Sequence, residues 1–154
     1  YYMDVYKTIT TLVEKYGIIP KTLKLEITET AIMTGISGEL EILEQFRNYG
    51  FQVEIDDFGS GYSSLNTLND MDVDVLKIDM GFLRTTKSDR IQRSMSILNN
   101  IIDLSKTLGL SVITEGVETK EQVTALTKMG CRIYQGYYFS KPIPIEEFEN
   151  TYLK

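Results

Sequence analysis

Along the chain, short runs in which alternate or successive residues are apolar are separated by longer runs in which apolar residues recur every three or four positions. The first pattern predicts strands and the second amphipathic helices. Val5, Ile9, Leu12 and Val13 stand at helical spacing, and Gly17 with Pro20 ends that helix. Residues 23–28 (Leu-Lys-Leu-Glu-Ile-Thr) alternate like a strand. A helix is predicted over 39–49 with Leu40, Leu43 and Phe46 inward and Gly50 as its stop. A strand follows over 52–56, then a short helix over 63–69 and a strand over 74–79.

The longest helix is predicted over 89–108. Ile91, Met95, Leu98, Ile101, Ile102, Ser105 and Leu108 form its stripe, and Gly109 closes it. A strand over 110–114 leads to Thr119-Lys120-Glu121-Gln122, which has the form of a capping box. The helix it opens carries Val123, Leu126 and Met129 inward; a last strand over 132–135 and a helix over 145–152 complete the order. Strands alternating with helices imply parallel βα units with right-handed crossovers, in an open doubly wound sheet or in a TIM barrel.

Polar residues decide between these two. They fall in or just after every predicted strand: Glu26 and Glu29, Asp56 and Asp57, Lys77 and Asp79, Glu115 and Glu118, and Gln135. A doubly wound sheet concentrates function at one switch point, whereas a barrel gathers all strand ends around one axis. The set therefore favours an α/β, TIM-barrel-like fold with about five parallel strands in this chain. Any single member, taken alone, reads more simply as a cap or a structural salt bridge. Several like charges buried together require a compensating cation.

Asp56 and Asp57 are neighbours and would point to opposite faces of a regular strand. They reach one cluster if the strand ends there, as Gly59 and Gly61 suggest. Lys77, in an otherwise apolar strand, suits a structural ion pair or a group that pairs with ligand carboxylates or acts on water. Gly59-Ser60-Gly61 lacks the third glycine of a dinucleotide fingerprint. Tyr134, Tyr137, Tyr138 and Phe139 are expected to pack under the barrel rather than stack on a base.

Composition narrows the chemistry. The 154 residues suffice for one core. None is histidine, which excludes Ser-His-Asp triads and His-ligated zinc. Oxygen ligands alone select hard ions such as Mg²⁺, Mn²⁺ or Ca²⁺. The net charge of −6 argues against DNA as a partner. Cys131 permits no internal disulfide, consistent with a cytoplasmic setting, and reads as a small buried residue. No apolar run approaches the roughly 20 residues of a membrane span. The chain, opening on Tyr1 in a helix-like pattern, reads as an excised piece.

Five strings stand in order: Leu25-Glu26-Ile27-Thr28-Glu29-Thr30, Asp56-Asp57-Phe58-Gly59-Ser60-Gly61-Tyr62-Ser63-Ser64-Leu65, Leu76-Lys77-Ile78-Asp79, Thr114-Glu115-Gly116-Val117-Glu118-Thr119 and Gln135-Gly136-Tyr137. Together they resemble the EAL-domain family of bacterial cyclic di-GMP phosphodiesterases. The resemblance implies a TIM-barrel-like fold and a two-metal Mg²⁺ or Mn²⁺ site that hydrolyses cyclic di-GMP to linear pGpG. It implies that Glu26 and Asp56 bind one metal and Asp57 the second, and that Lys77 positions or activates the attacking water. Glu115 is similar to the family's base or ligand near that water, Glu29 to the glutamate bracing the loop after Asp57, and Gln135 and Glu118 to substrate contacts.

The family's Glu-Ala-Leu segment and an Asn ligand lie on earlier strands, so residues 1–154 read as a partial EAL domain lacking them. Impaired activity, homodimerisation through open sheet edges, and sensor or diguanylate cyclase domains in a parent chain, which could be membrane-tethered, are the corresponding expectations. A non-catalytic cyclic di-GMP receptor or scaffold is the alternative. An enolase-like barrel, which also sets a lysine and a divalent ion among strand-end carboxylates, fits the specific strings less well.

Overall fold

The computed structural model describes residues 4–34, 39–59, 72–83 and 88–153. Helices α1 (Val5–Tyr16), α2 (Glu29–Thr34), α3 (Glu39–Tyr49), α4 (Ser88–Thr107), α5 (Lys120–Met129) and α6 (Ile145–Tyr152) alternate with strands β1 (Lys24–Thr28), β2 (Gln52–Phe58), β3 (Val75–Asp79), β4 (Ser111–Glu115) and β5 (Ile133–Tyr134). The strands form one sheet in the order β1-β2-β3-β4-β5, and every pairing is parallel. The helix predicted over 63–69 lies outside the described residues.

Local chemistry explains most boundaries. Asp4 accepts a hydrogen bond from the Lys7 amide at 3.0 Å and opens α1, and Gly17 closes it in the left-handed conformation. The Thr119 hydroxyl accepts from the Gln122 amide at 3.2 Å while Gln122 Oε1 accepts from the Thr119 amide at 3.0 Å, so the capping box forms as its spacing predicts. Strand β3 is buried at four of its five positions, as a central parallel strand covered on both faces should be.

The main core joins Val53, Ile55 and Phe58 of β2, Leu76 and Ile78 of β3, Leu98 and Ile102 of α4, and Leu126 of α5. A smaller cluster of Val13, Phe46 and Phe51 ties α1 and α3 to the start of β2, with the Phe46 and Phe51 rings edge to face at 5.4 Å.

Several helix faces are narrower than predicted. Leu40 is 54% exposed rather than inward, and Val5 and Leu12 of α1 are exposed. Ile91 and Leu108, at the two ends of the α4 stripe, are exposed as well, because burial there centres on Leu98, Ile102 and Ser105. The buried Ser105 hydroxyl is satisfied by donating to the Ile101 carbonyl at 2.8 Å. Tyr137, Tyr138 and Phe139, expected to pack, lie exposed in the turn after β5, while Tyr134 packs against the core. No described helix is long and apolar enough to cross a membrane.

Candidate active site

Glu26, Asp56, Lys77 and Glu115 belong to four adjacent strands, and the sheet brings them together. Lys77 Nζ lies 2.8 Å from Glu26 Oε1, 3.0 Å from Asp56 Oδ1 and 2.8 Å from Glu115 Oε1. The lysine is only 4% exposed, so one buried ammonium offsets three carboxylates that would otherwise repel one another. Burial works against the charge of Lys77, but its close contacts with Glu115, Glu26 and Asp56 outweigh burial and hold its pKa above the ordinary lysine value. Glu115 is shifted the other way from a typical ion-paired carboxylate. Burial raises its pKa, Lys77 offsets part of the rise, and the charges of Asp56 and Glu26 add to it.

Asp57 sits differently from the prediction. The strand does not end at Asp56; it runs on to Phe58 with a bulge, so that Ile55 pairs with Leu76 and Phe58 with Ile78. Asp57 takes up the extra residue with a φ of 57°. This left-handed backbone is uncommon for a residue other than glycine, although aspartate is one of the side chains that tolerates it. The bulge, rather than a strand end, breaks the alternation of the two aspartates. Asp57 is exposed and lies outside the group held by Lys77.

Glu29 opens α2 directly after β1. It is buried, and its Oε2 accepts a hydrogen bond from the Gly59 amide at 2.9 Å. Its Oε1 is buried without a hydrogen-bond partner among the described residues. Glu29 therefore reaches the turn after Asp57 and not the Lys77 cluster.

Gln135 and Glu118 lie at the same end of the sheet. The Gln135 amide donates to the Thr114 carbonyl at 2.8 Å and its carbonyl accepts from the Val117 amide at 3.1 Å, which ties the end of β5 to the segment after Glu115. Gly136 completes this junction, because a Cβ there would stand 2.2 Å from the Val117 carbonyl oxygen. Glu118 is exposed, and its amide donates to Gln122 Oε1 at 2.7 Å, which places it at the start of α5. Cys131 is buried, as predicted.

The sequence reading passed over Lys24 and Glu54, which form an ion pair of 2.7 Å. Their signal was present: each lies two residues before a site carboxylate on the same strand, and so on the same face.

The donors at the site are all oxygens, of a type that suits a hard divalent ion. Asp56 Oδ1 and Glu115 Oε1 are buried with Lys77 Nζ as their ion-pair partner, and in donor type they fit such an ion. In the present geometry the carboxylates converge on Lys77, and among the described residues no cluster of three or more is arranged as a ready metal cage.

A parallel sheet whose strands deliver carboxylates and a buried lysine to one centre defines a TIM-barrel-like α/β protein with an acidic site. Residues 3–142 match the EAL domain family, and the chain belongs to that family. It is 41% identical over 142 residues to the cyclic di-GMP phosphodiesterase NbdA of Pseudomonas aeruginosa, a match covering 90% of this chain and 18% of NbdA. Among solved structures, the PaMucR phosphodiesterase in complex with c-di-GMP superposes with a TM-score of 0.85 at 36% identity, over 96% of this chain and 59% of that one. The manganese and cy-diGMP complex of Klebsiella pneumoniae BlrP1 superposes with a TM-score of 0.81 at 31% identity, over 90% of this chain and 35% of that one. The chain thus spans less than two thirds of each of these relatives.

Proposed function

We propose that these residues form part of a metal-dependent phosphodiesterase that hydrolyses one phosphodiester bond of cyclic di-GMP to give linear pGpG. The observation that carries the reading is the convergence of Glu26, Asp56 and Glu115 on the buried Lys77. Glu26 and Asp56 would hold one Mg²⁺ or Mn²⁺ and Asp57 a second; such ions lower the pKa of bound water and clamp a phosphoryl group. Lys77 Nζ orients the water, Glu115 takes up or holds its proton, Glu29 fixes the turn after Asp57, and Gln135 and Glu118 face the nucleotide. The relatives named above, two of them phosphodiesterases by name and two solved with the dinucleotide, support this substrate.

Residues 1–154 are part of the domain. The outer edges of β1 and β5 carry no strand partner among the described residues, and β1 borders a groove of about 790 Å³ lined by Val5, Ile9, Leu25, Ile27 and Phe46. Residues 1–154 alone turn over more slowly than a chain carrying further barrel strands, and two copies associate through the open edges.

A second reading, a receptor that binds cyclic di-GMP without cleaving it, is favoured by one observation: the carboxylates are already paired with Lys77. Equilibrium dialysis with cyclic di-GMP and Mn²⁺, followed by chromatography of the bound nucleotide, separates the two. Recovery of pGpG supports the enzyme, and recovery of intact cyclic dinucleotide supports the receptor.

A further inference from the structure

Glu26 of β1 and Glu54 of β2 are register partners in the parallel ladder, so two carboxylates stand directly opposite each other on one face. Like charges in that position repel. Glu54 is also 1% exposed, so its charge cannot be left to solvent. The conflict is resolved by divergence. Glu26 Oε1 turns to Lys77 at 2.8 Å, and Glu54 Oε1 turns to Lys24 at 2.7 Å. Lys24 lies two residues before Glu26 on the same strand and reaches across to β2 from that side.

We propose that Lys24 and Glu54 are positioning residues: Lys24 draws the Glu54 carboxylate away from its opposite number and leaves Glu26 free to engage Lys77. Both act through Glu26 and neither touches substrate. That Glu26 then serves a metal rests on the function proposed above; the positioning itself does not.

Glu26 is the most exposed of the three carboxylates on Lys77, with 49% of its side chain accessible, against 22% for Asp56 and 17% for Glu115. It is therefore the one that screens the amine from solvent. If Lys24 is removed, Glu54 is left unpaired opposite Glu26, Glu26 is displaced, and Lys77 is uncovered. If the Glu54 charge is removed too, the repulsion disappears and Glu26 returns.

The test is the rate at which an amine-acetylating reagent modifies Lys77, followed by peptide mass spectrometry on the metal-free protein, with circular dichroism confirming the fold. Lys24→Met should speed modification by about tenfold, a modest share of what stranding the buried Glu54 charge disturbs. Lys24→Met/Glu54→Leu should return it to within about twofold of the parent, because an apolar pair refills the layer without a stranded charge.

A purely structural ion pair would lower the melting temperature of Lys24→Met and leave Lys77 labelling unchanged, which would overturn the proposal. A double variant that labels as fast as the single one would overturn it as well. Should Lys24→Met not fold, Lys24→Gln, which removes the charge and keeps a polar side chain, takes its place: faster labelling supports the proposal, and parent-like labelling of the folded protein contradicts it. A parent protein that binds no Mn²⁺ in calorimetry would contradict the metal reading and leave the labelling result standing.

Discussion

The Glu29 carboxylate holds the Gly59 amide at 2.9 Å, a contact that spans thirty residues of sequence and fixes the turn just beyond Asp57 to the start of α2. Gly59 itself has a φ of 93°, a conformation other residues adopt only with strain, so both ends of the contact are specified. The bulge at Asp57 thus has a brace on its far side. Glu29→Ala should lower stability by about 1.5–3 kcal/mol, the usual worth of a hydrogen bond to a charged group. It should reduce turnover more than nucleotide binding. Urea unfolding and steady-state kinetics check both, and a variant with unchanged kcat would remove Glu29 from the machinery.

Lys77 predicts a pH profile. Its folded pKa lies above its unfolded value, so the stability it contributes is fully present below the unfolded pKa, near 10.5, and is lost as pH rises through the higher folded value. Glu115, also raised, favours the fold below the ordinary glutamate range and withdraws that contribution as pH rises through its folded pKa. Lys77→Met removes the common partner of three carboxylates, and breaking such a pairing costs about 3–5 kcal/mol. The loss should be largest near neutral pH and shrink on acidification as the carboxylates protonate. Thermal melts from pH 4 to pH 8 measure this, and a loss independent of pH would contradict the charge-compensation account.

Gly136→Ala tests the junction between β4 and β5. Its Cβ would meet the Val117 carbonyl oxygen at 2.2 Å, and relief requires moving the backbone that follows Glu115. A destabilisation of about 1–3 kcal/mol is expected, as for overpacking generally. A melting temperature equal to that of the parent would show that the junction is pliable.

Much of this was legible in the sequence, for identifiable reasons. Gly17 and the Thr119–Gln122 box act within a few residues, so their spacing alone specified helix ends that the structure reproduces. The parallel sheet followed from the alternation of strand and helix. The bulge at Asp57 was not legible, because it depends on how β2 meets β3, a pairing between residues about twenty apart. Helix α2 was missed because six residues give too short a window for periodicity. The exposure of Leu40 was missed because periodicity reports which face is apolar and not what covers it. Gathering Glu26, Asp56, Lys77 and Glu115 was foreseeable from parity on neighbouring strands. The same parity argument, applied to Lys24 and Glu54, would have found the pair beside them.

Self-association has its own test. Tyr137, Phe139, Phe148 and Tyr152 line a pocket of about 620 Å³ beside β5, and the apolar groove at β1 lies at the opposite edge. Light scattering on a sizing column should give a dimer mass at micromolar concentration, most simply one of twofold symmetry. A monomer across that range would refute association through these edges.

The most direct measurement is chromatographic analysis of cyclic di-GMP incubated with excess protein and Mn²⁺, beside the same protein carrying Asp56→Asn and Asp57→Asn. The account predicts that pGpG accumulates with the parent, that omission of the metal stops it, and that the folded double variant produces none. Equal pGpG from parent and double variant, or intact cyclic di-GMP from a parent shown to bind it, would contradict the assignment of these carboxylates to a hydrolytic metal site.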